Sequence, residues 1–166
     1  MNATLRADAR RNLDRLLEAA SECFAERGVD ASVDEIARRA GIGHGTVFRR
    51  FPTKEALLSA VVLDQVRGLT AVAEAASAAD DPGAAFEEFF RHAAETYAEN
   101  RALIEGLGSC VEREEVASLT AAVQRLVRRA QQAGAVRRDV TVEDVLELVP
   151  AASRHPDVIL DGLRSA

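Results

Sequence analysis

The sequence predicts an all-α protein, and three observations carry that reading. Ala, Leu, Glu and Arg dominate the 166 residues, and these are strong helix formers. Apolar residues recur at three- and four-residue intervals in nearly every segment, the period of a helix with one buried face. Breakers and caps (Gly28, Gly41, Pro52, Asp80-Asp81-Pro82-Gly83, Gly134, Pro150, Pro156) divide those segments into units of helix length. Hydrophobic residues make up 48% of the chain, enough for a real core, while aromatics are only 4% and Trp is absent.

The N-terminus, through about Asp8, reads as a loose arm. A helix follows from about Ala9 to Arg27, with Leu13, Leu16, Leu17, Ala20 and Phe24 on its inner face and Gly28 at its end. Cys23 adjoins that stripe and reads as a small buried filler.

The most informative stretch runs from Ser32 to Lys54. Ser32 lies three residues before Glu35, the spacing at which each side chain satisfies the other's free backbone N–H at a helix start. Val33, Ile36, Ala37 and Ala40 form one apolar stripe of about two turns. Gly41 sits where a left-handed residue ends a helix cheaply. A second short helix is expected over Gly45 to Arg50, with only Val47 and Phe51 facing inward. His44, Thr46, Phe48, Arg49 and Arg50 then face outward, and Lys54 opens the next helix behind Thr53 as its cap. A hydroxyl, an imidazole and two guanidiniums suit phosphates and base edges better than a protein core. A glycine-rich dinucleotide loop is a poor alternative for G-I-G-H-G, because that motif needs a buried strand before it.

These residues carry a resemblance. The segment from about Arg11 to Leu58 resembles the DNA-binding domain of the tetracycline-repressor (TetR) family of bacterial regulators. The matching marks are Ala20, Phe24 and Gly28 at four-residue intervals, S-V-D-E-I-A-R-R-A-G, G-T-V-F-R-R-F and P-T-K-E-A-L. The resemblance implies an N-terminal three-helix domain over 1–54 and a helical ligand-binding and dimerisation domain over 55–166. It implies a DNA contact set of Ser32, His44, Gly45, Thr46, Phe48, Arg49, Arg50 and Lys54. It further implies a ligand-responsive repressor that binds a palindromic operator in double-stranded DNA as a homodimer.

Charge is distributed accordingly. The chain carries −6 overall, but residues 1–54 hold ten Lys or Arg against eight Asp or Glu, so the basic part is the part with the outward-facing helix.

Beyond Lys54, a long helix is expected from Thr53 to about Ala79, with Leu57, Leu58, Val61, Val62, Val66 and Leu69 apolar. Next come a helix over Ala84 to Ala98, a shorter one around Leu103 to Cys110 weakened by Gly106 and Gly108, and a helix from about Arg113 to Ala133. Arg125, Arg128 and Arg129 read as that last helix's solvated face. Thr141 is expected to cap a helix over Val142 to Val149 that Pro150 kinks or ends, and Asp157 to Leu163 forms a final short helix. Phe86, Phe89 and Phe90 cluster within five residues. They read equally as core or as the aromatic wall of a pocket for an apolar small molecule, shared with Leu58, Val62, Tyr97, Leu107, Cys110 and Val123.

Other chemistries fit poorly. His44, His92 and His155 show no catalytic or metal spacing, and His92 with Glu95 lacks a second ligand pair, so neither an enzyme nor a metal or cofactor site is expected. A redox-responsive regulator would need Cys23 or Cys110 as an exposed thiol, and both lie among apolar residues. A helical interaction protein without an effector is the remaining alternative. No apolar run approaches the ~18 residues of a membrane span, and the N-terminus lacks the apolar core of a signal peptide, so a cytoplasmic protein is expected.

Overall fold

The structure, a computed structural model, describes residues 2–107 and 113–165. Eight α-helices occupy them: α1 Asn2–Arg27, α2 Val33–Ala40, α3 His44–Arg50, α4 Lys54–Ala76, α5 Pro82–Leu107, α6 Arg113–Gln132, α7 Val142–Ala152 and α8 Pro156–Leu163. No strand occurs among the described residues; one isolated bridge joins Val136 to Arg164. The all-α expectation holds.

Two compact units divide these residues. The first comprises residues 2–64 and 100–107, the second 65–99 and 113–165. The division therefore falls within α4 and within α5, and not at residue 54.

In the first unit, Leu16, Leu17, Ala20 and Phe24 of α1 are buried with Ile36, Ala37 and Ala40 of α2, Val47 of α3, and Leu57, Leu58, Val61 and Val62 of α4. Leu103 of α5 joins this core, and the Ser21 hydroxyl bonds the Asn100 carboxamide at 3.2 Å. Gly28, Gly41 and Gly134 have φ of 62°, 66° and 75°, so each stands where a left-handed residue is required.

In the second unit, Phe86, Phe89 and Phe90 of α5 pack with Val123, Leu126 and Val127 of α6, Val145 of α7, and Leu160 and Leu163 of α8. The Phe86 and Phe90 rings are stacked with centroids 6.1 Å apart. The C-terminal segment is pinned by Arg137 N–H to the Leu163 carbonyl (3.0 Å), Ser165 N–H to the Ala135 carbonyl (3.2 Å), and Arg164 Nε to Glu87 (3.0 Å). Thr141 and Asp144 form a reciprocal capping box at the start of α7.

Several expectations need correction. The helix begins at Asn2, not Ala9, because A-T-L-R-A-D-A contains no breaker and Asp8 pairs with Arg11 one turn on. α5 is one helix through Leu107 where two were expected; nothing between Ala98 and Leu103 interrupts its backbone bonding. Pro150 lies inside α7, which runs on to Ala152. A proline deletes only one donor, and Ser153 closes the end by bonding the Val149 carbonyl from its N–H (3.1 Å) and the Pro150 carbonyl from its hydroxyl (2.7 Å). Pro156 starts α8 at the position that tolerates proline best. Arg125 and Arg128 are exposed as expected, Arg125 at 3.4 Å from the exposed Glu74, whereas Arg129 is half-buried and bonds the Ser77 carbonyl. α4 is, by length and composition, apolar enough to cross a membrane, contrary to the sequence count. Its apolarity has another use: Leu57, Leu58, Val61 and Val62 are buried in one core and Ala73 in the other.

Candidate nucleic-acid interface

The site is built on α2, which is held in place from both sides. At its start the Ser32 hydroxyl accepts the Glu35 N–H at 3.2 Å. The return half of the expected box is absent, because the Glu35 carboxylate pairs with Arg27 at 2.8 Å. On the neighbouring turn, Arg39 makes two parallel bonds of 2.8 Å to Glu26 and approaches Glu22 at 3.6 Å. The guanidinium holds the Glu26 carboxyl below its ordinary range, and Glu26 in turn raises Arg39. These contacts join α2 to α1. Gly41 then reverses the chain, its N–H and that of Ile42 closing on the Arg38 and Ala37 carbonyls at 3.2 and 2.9 Å.

α3 has only seven residues and would not persist alone. Its anchors are Val47, fully buried, and Phe51, half-buried against the same core. Burying a side chain of this kind is worth roughly 1.5–3 kcal/mol, enough to fix which face points inward. The consequence is the outward face read from the sequence: His44, Gly45, Thr46, Phe48, Arg49 and Arg50 are all exposed. Phe48 is 40% exposed, an unusual position for a phenyl ring.

That face has its own order. His44 Nδ1 meets an Asp34 carboxylate oxygen, and its ring lies against Phe48 with centroids 4.4 Å apart. With Nδ1 engaged by Asp34, Nε2 is the ring nitrogen left for another partner. The Arg49 guanidinium bonds the Thr46 hydroxyl at 3.2 Å, and the Arg50 guanidinium sits 6.0 Å from the Phe51 centroid. Among the described residues, Arg49, Arg50 and Lys54 have no acidic partner. Their charge is therefore available to something outside the chain. Thr53 caps α4 by accepting the Ala56 N–H at 3.1 Å, which places Lys54, half-buried, at the first position of that helix. Sequence reasoning missed Asp34, since nothing local ties it to His44 ten residues on.

These features place a short, externally charged helix after a capped helix and a glycine turn. Residues 16–61 match the bacterial regulatory proteins of the tetR family, and residues 81–165 match the transcriptional regulator SbtR-like C-terminal domain. The chain belongs to the TetR family of transcriptional regulators. Among solved structures, it is similar to a TetR transcription regulatory protein from Mycobacterium vanbaalenii, with 42% identity, 96% of this chain and 99% of that one covered, and a TM-score of 0.81. It is also similar to the TetR regulator SCO0520 of Streptomyces coelicolor, at 29% identity, 92% and 98% coverage and a TM-score of 0.69. Among curated proteins, the HTH-type transcriptional repressor Rv3405c of Mycobacterium tuberculosis is 50% identical over 48 residues, which span 28% of this chain and 26% of that protein. UidR of Escherichia coli K12 is 27% identical over 84% of this chain and 76% of its own length.

The second unit of this TetR protein contains a cleft of about 640 Å³ between α4 and α5, lined by apolar residues such as Val72, Ala76 and Phe89 and by Glu88, Arg91, His92 and Glu95. Among the described side chains read from sequence as a ligand wall, only Phe89 lines it. Phe86, Phe90 and Val123 fill the core of that unit, Leu58 and Val62 fill the core of the other, and Tyr97 is half-buried. Leu107 ends α5, and Cys110 lies outside the described residues. The described residues contain no group of three or more side chains placed to hold a metal ion. Cys23 is 1% exposed, and burial raises its thiol pKa, which disfavours the thiolate that redox sensing requires.

Proposed function

We propose that this TetR regulator binds a palindromic operator as a homodimer, with α3 of each copy in the major groove of double-stranded DNA. The outward face of α3 supports this reading: a hydroxyl, an imidazole Nε2 and two guanidiniums without acidic partners, on a helix whose inner face is fixed by Val47. Thr46, His44 and Gly45 approach base edges, Phe48 packs on a thymine methyl or a sugar, and Arg49, Arg50 and Lys54 meet phosphates, with Ser32 at the start of α2 nearby. The second copy associates through α7 and α8, where Val158 is 70% exposed. The protein acts as a repressor in the cytoplasm.

A small molecule in the cleft of the second unit releases the DNA. The apolar lining of Val72, Ala76 and Phe89 favours a lipophilic body, and Glu88, Arg91, His92 and Glu95 offer polar partners of both charges. α4 contributes residues to both units, which gives a ligand's preference a covalent route to the DNA-binding part.

The test is a mobility shift of the purified protein on the duplex upstream of its own coding sequence, against scrambled DNA. Selective retardation that Thr46→Ala abolishes, in a protein of unchanged melting temperature, is the expected result. Equal affinity for both duplexes, or full selectivity in Thr46→Ala, would sink the assignment.

A further inference from the structure

A second hollow, of about 460 Å³, lies in the first unit where α1, the turn after Gly41 and α3 meet. Leu13, Leu16 and Ile42 supply an apolar floor, and Thr46, Arg49 and Arg50 supply a polar wall. No acidic side chain lines it among the described residues. Its volume is in the range that holds a drug-sized molecule. A DNA phosphate would use the guanidiniums but has no need of an aliphatic floor, so the two surfaces together describe a ligand with one anionic end and one apolar body. We propose that the hollow between α1 and α3 binds an amphipathic organic anion, an aromatic or aliphatic carboxylate or sulfonate, and that this ligand competes directly with DNA for Thr46, Arg49 and Arg50. The exclusion step rests on the operator-binding reading above; the binding step does not.

Direct competition differs from an allosteric release in a measurable way. An allosteric ligand weakens DNA binding to a plateau set by its coupling free energy, whereas a competitor weakens it in proportion to its concentration without limit. The anionic head also predicts a charge requirement, since hydrogen bonds to ionised groups are about twice as strong as neutral ones.

The experiment uses the full chain and the fluorescent probe 8-anilinonaphthalene-1-sulfonate, with uncharged N-phenyl-1-naphthylamine for comparison and decanoate and inorganic phosphate as competitors. The sulfonate is expected to bind, with affinity falling about tenfold or more in Arg49→Gln and in Arg50→Gln. Arg128→Gln, on the exposed side of α6 and away from both hollows, leaves it unchanged. Decanoate displaces the probe, and a short duplex at low salt displaces it competitively, its apparent Kd rising linearly with probe. Probe binding that survives both arginine substitutions overturns the site. Equal binding of the uncharged analogue, or displacement by phosphate as effective as by decanoate at matched ionic strength, overturns the amphipathic assignment. A plateau in the DNA competition overturns direct exclusion. If the protein retards no DNA at all, the operator reading fails, and the titration of the arginine variants still decides the site.

Discussion

The His44 imidazole lies against the Phe48 ring at 4.4 Å, one helical turn apart on the exposed side of α3, with Asp34 holding its Nδ1. This contact keeps an aromatic ring in place where no core supports it. Phe48 is 40% exposed, so removing it leaves little cavity. Phe48→Ala is expected to lower operator affinity roughly 5- to 100-fold while the melting temperature moves by no more than a few degrees. Anisotropy titration beside a thermal melt checks both. A large loss of stability with intact DNA binding would assign the ring to packing.

Gly41 and Gly45 should respond oppositely to the same substitution. Gly41 has φ +66°, where a Cβ is strained, so Gly41→Ala should cost about 1–2 kcal/mol. Gly45 is helical, and a Cβ there would meet nothing within 4 Å. Gly45→Ala should therefore stabilise the fold by roughly 0.5–1 kcal/mol while weakening operator binding, because the space it fills is the space offered to DNA. Urea melts and anisotropy on the two variants separate the cases.

Lys54 has no acidic partner among the described residues and opens α4 behind the Thr53 cap. Lys54→Ala should weaken binding to specific and unrelated duplexes alike and reduce the slope of log K against log salt by about one. A changed sequence preference with an unchanged slope would move Lys54 from phosphate to base.

Gly83 is irreplaceable for a steric reason: a Cβ would stand 2.8 Å from the Ala135 Cβ. Gly83→Ala should destabilise by about 1–3 kcal/mol. Ala135→Gly in the same chain should return part of that loss, and the double-mutant cycle measures how much.

Three carboxyls have a local reason to weaken the fold when they are protonated. Glu26 is held below the ordinary range by Arg39, Asp139 by Arg137, and Asp144 by the Thr141 hydroxyl and N–H. A carboxyl depressed in the folded state stabilises at pH above its unfolded value, about 4, and loses that contribution as pH falls through its folded value. Asp144→Asn and Glu26→Gln should each be less stable than the parent at pH 7, with the gap narrowing below about pH 4. Denaturant midpoints between pH 7 and 3 test this, and a gap constant with pH would assign the loss to packing.

Features that depend on neighbours three or four residues away were legible along the chain. Ser32, Thr53 and Thr141 cap the helices they precede. Gly28, Gly41 and Gly134 take the left-handed conformation. Val47 turns inward, and the basic and hydroxyl groups of α3 turn outward. Capping, chirality and helical period are local, and a linear pattern records them.

Which residues meet from distant elements became visible once the chain was folded. Folding put Phe86, Phe89 and Phe90 in one core with Phe89 also reaching the cleft, diverted Glu35 from Ser32 to Arg27, and brought Asp34 to His44. It also set Leu13 of α1 beside Arg49 and Arg50 of α3 around one hollow. An apolar side chain reads the same in sequence whether it fills a core or floors a cavity. The difference lies in what packs on its far side, and that is fixed by the crossing of helices far apart in the chain.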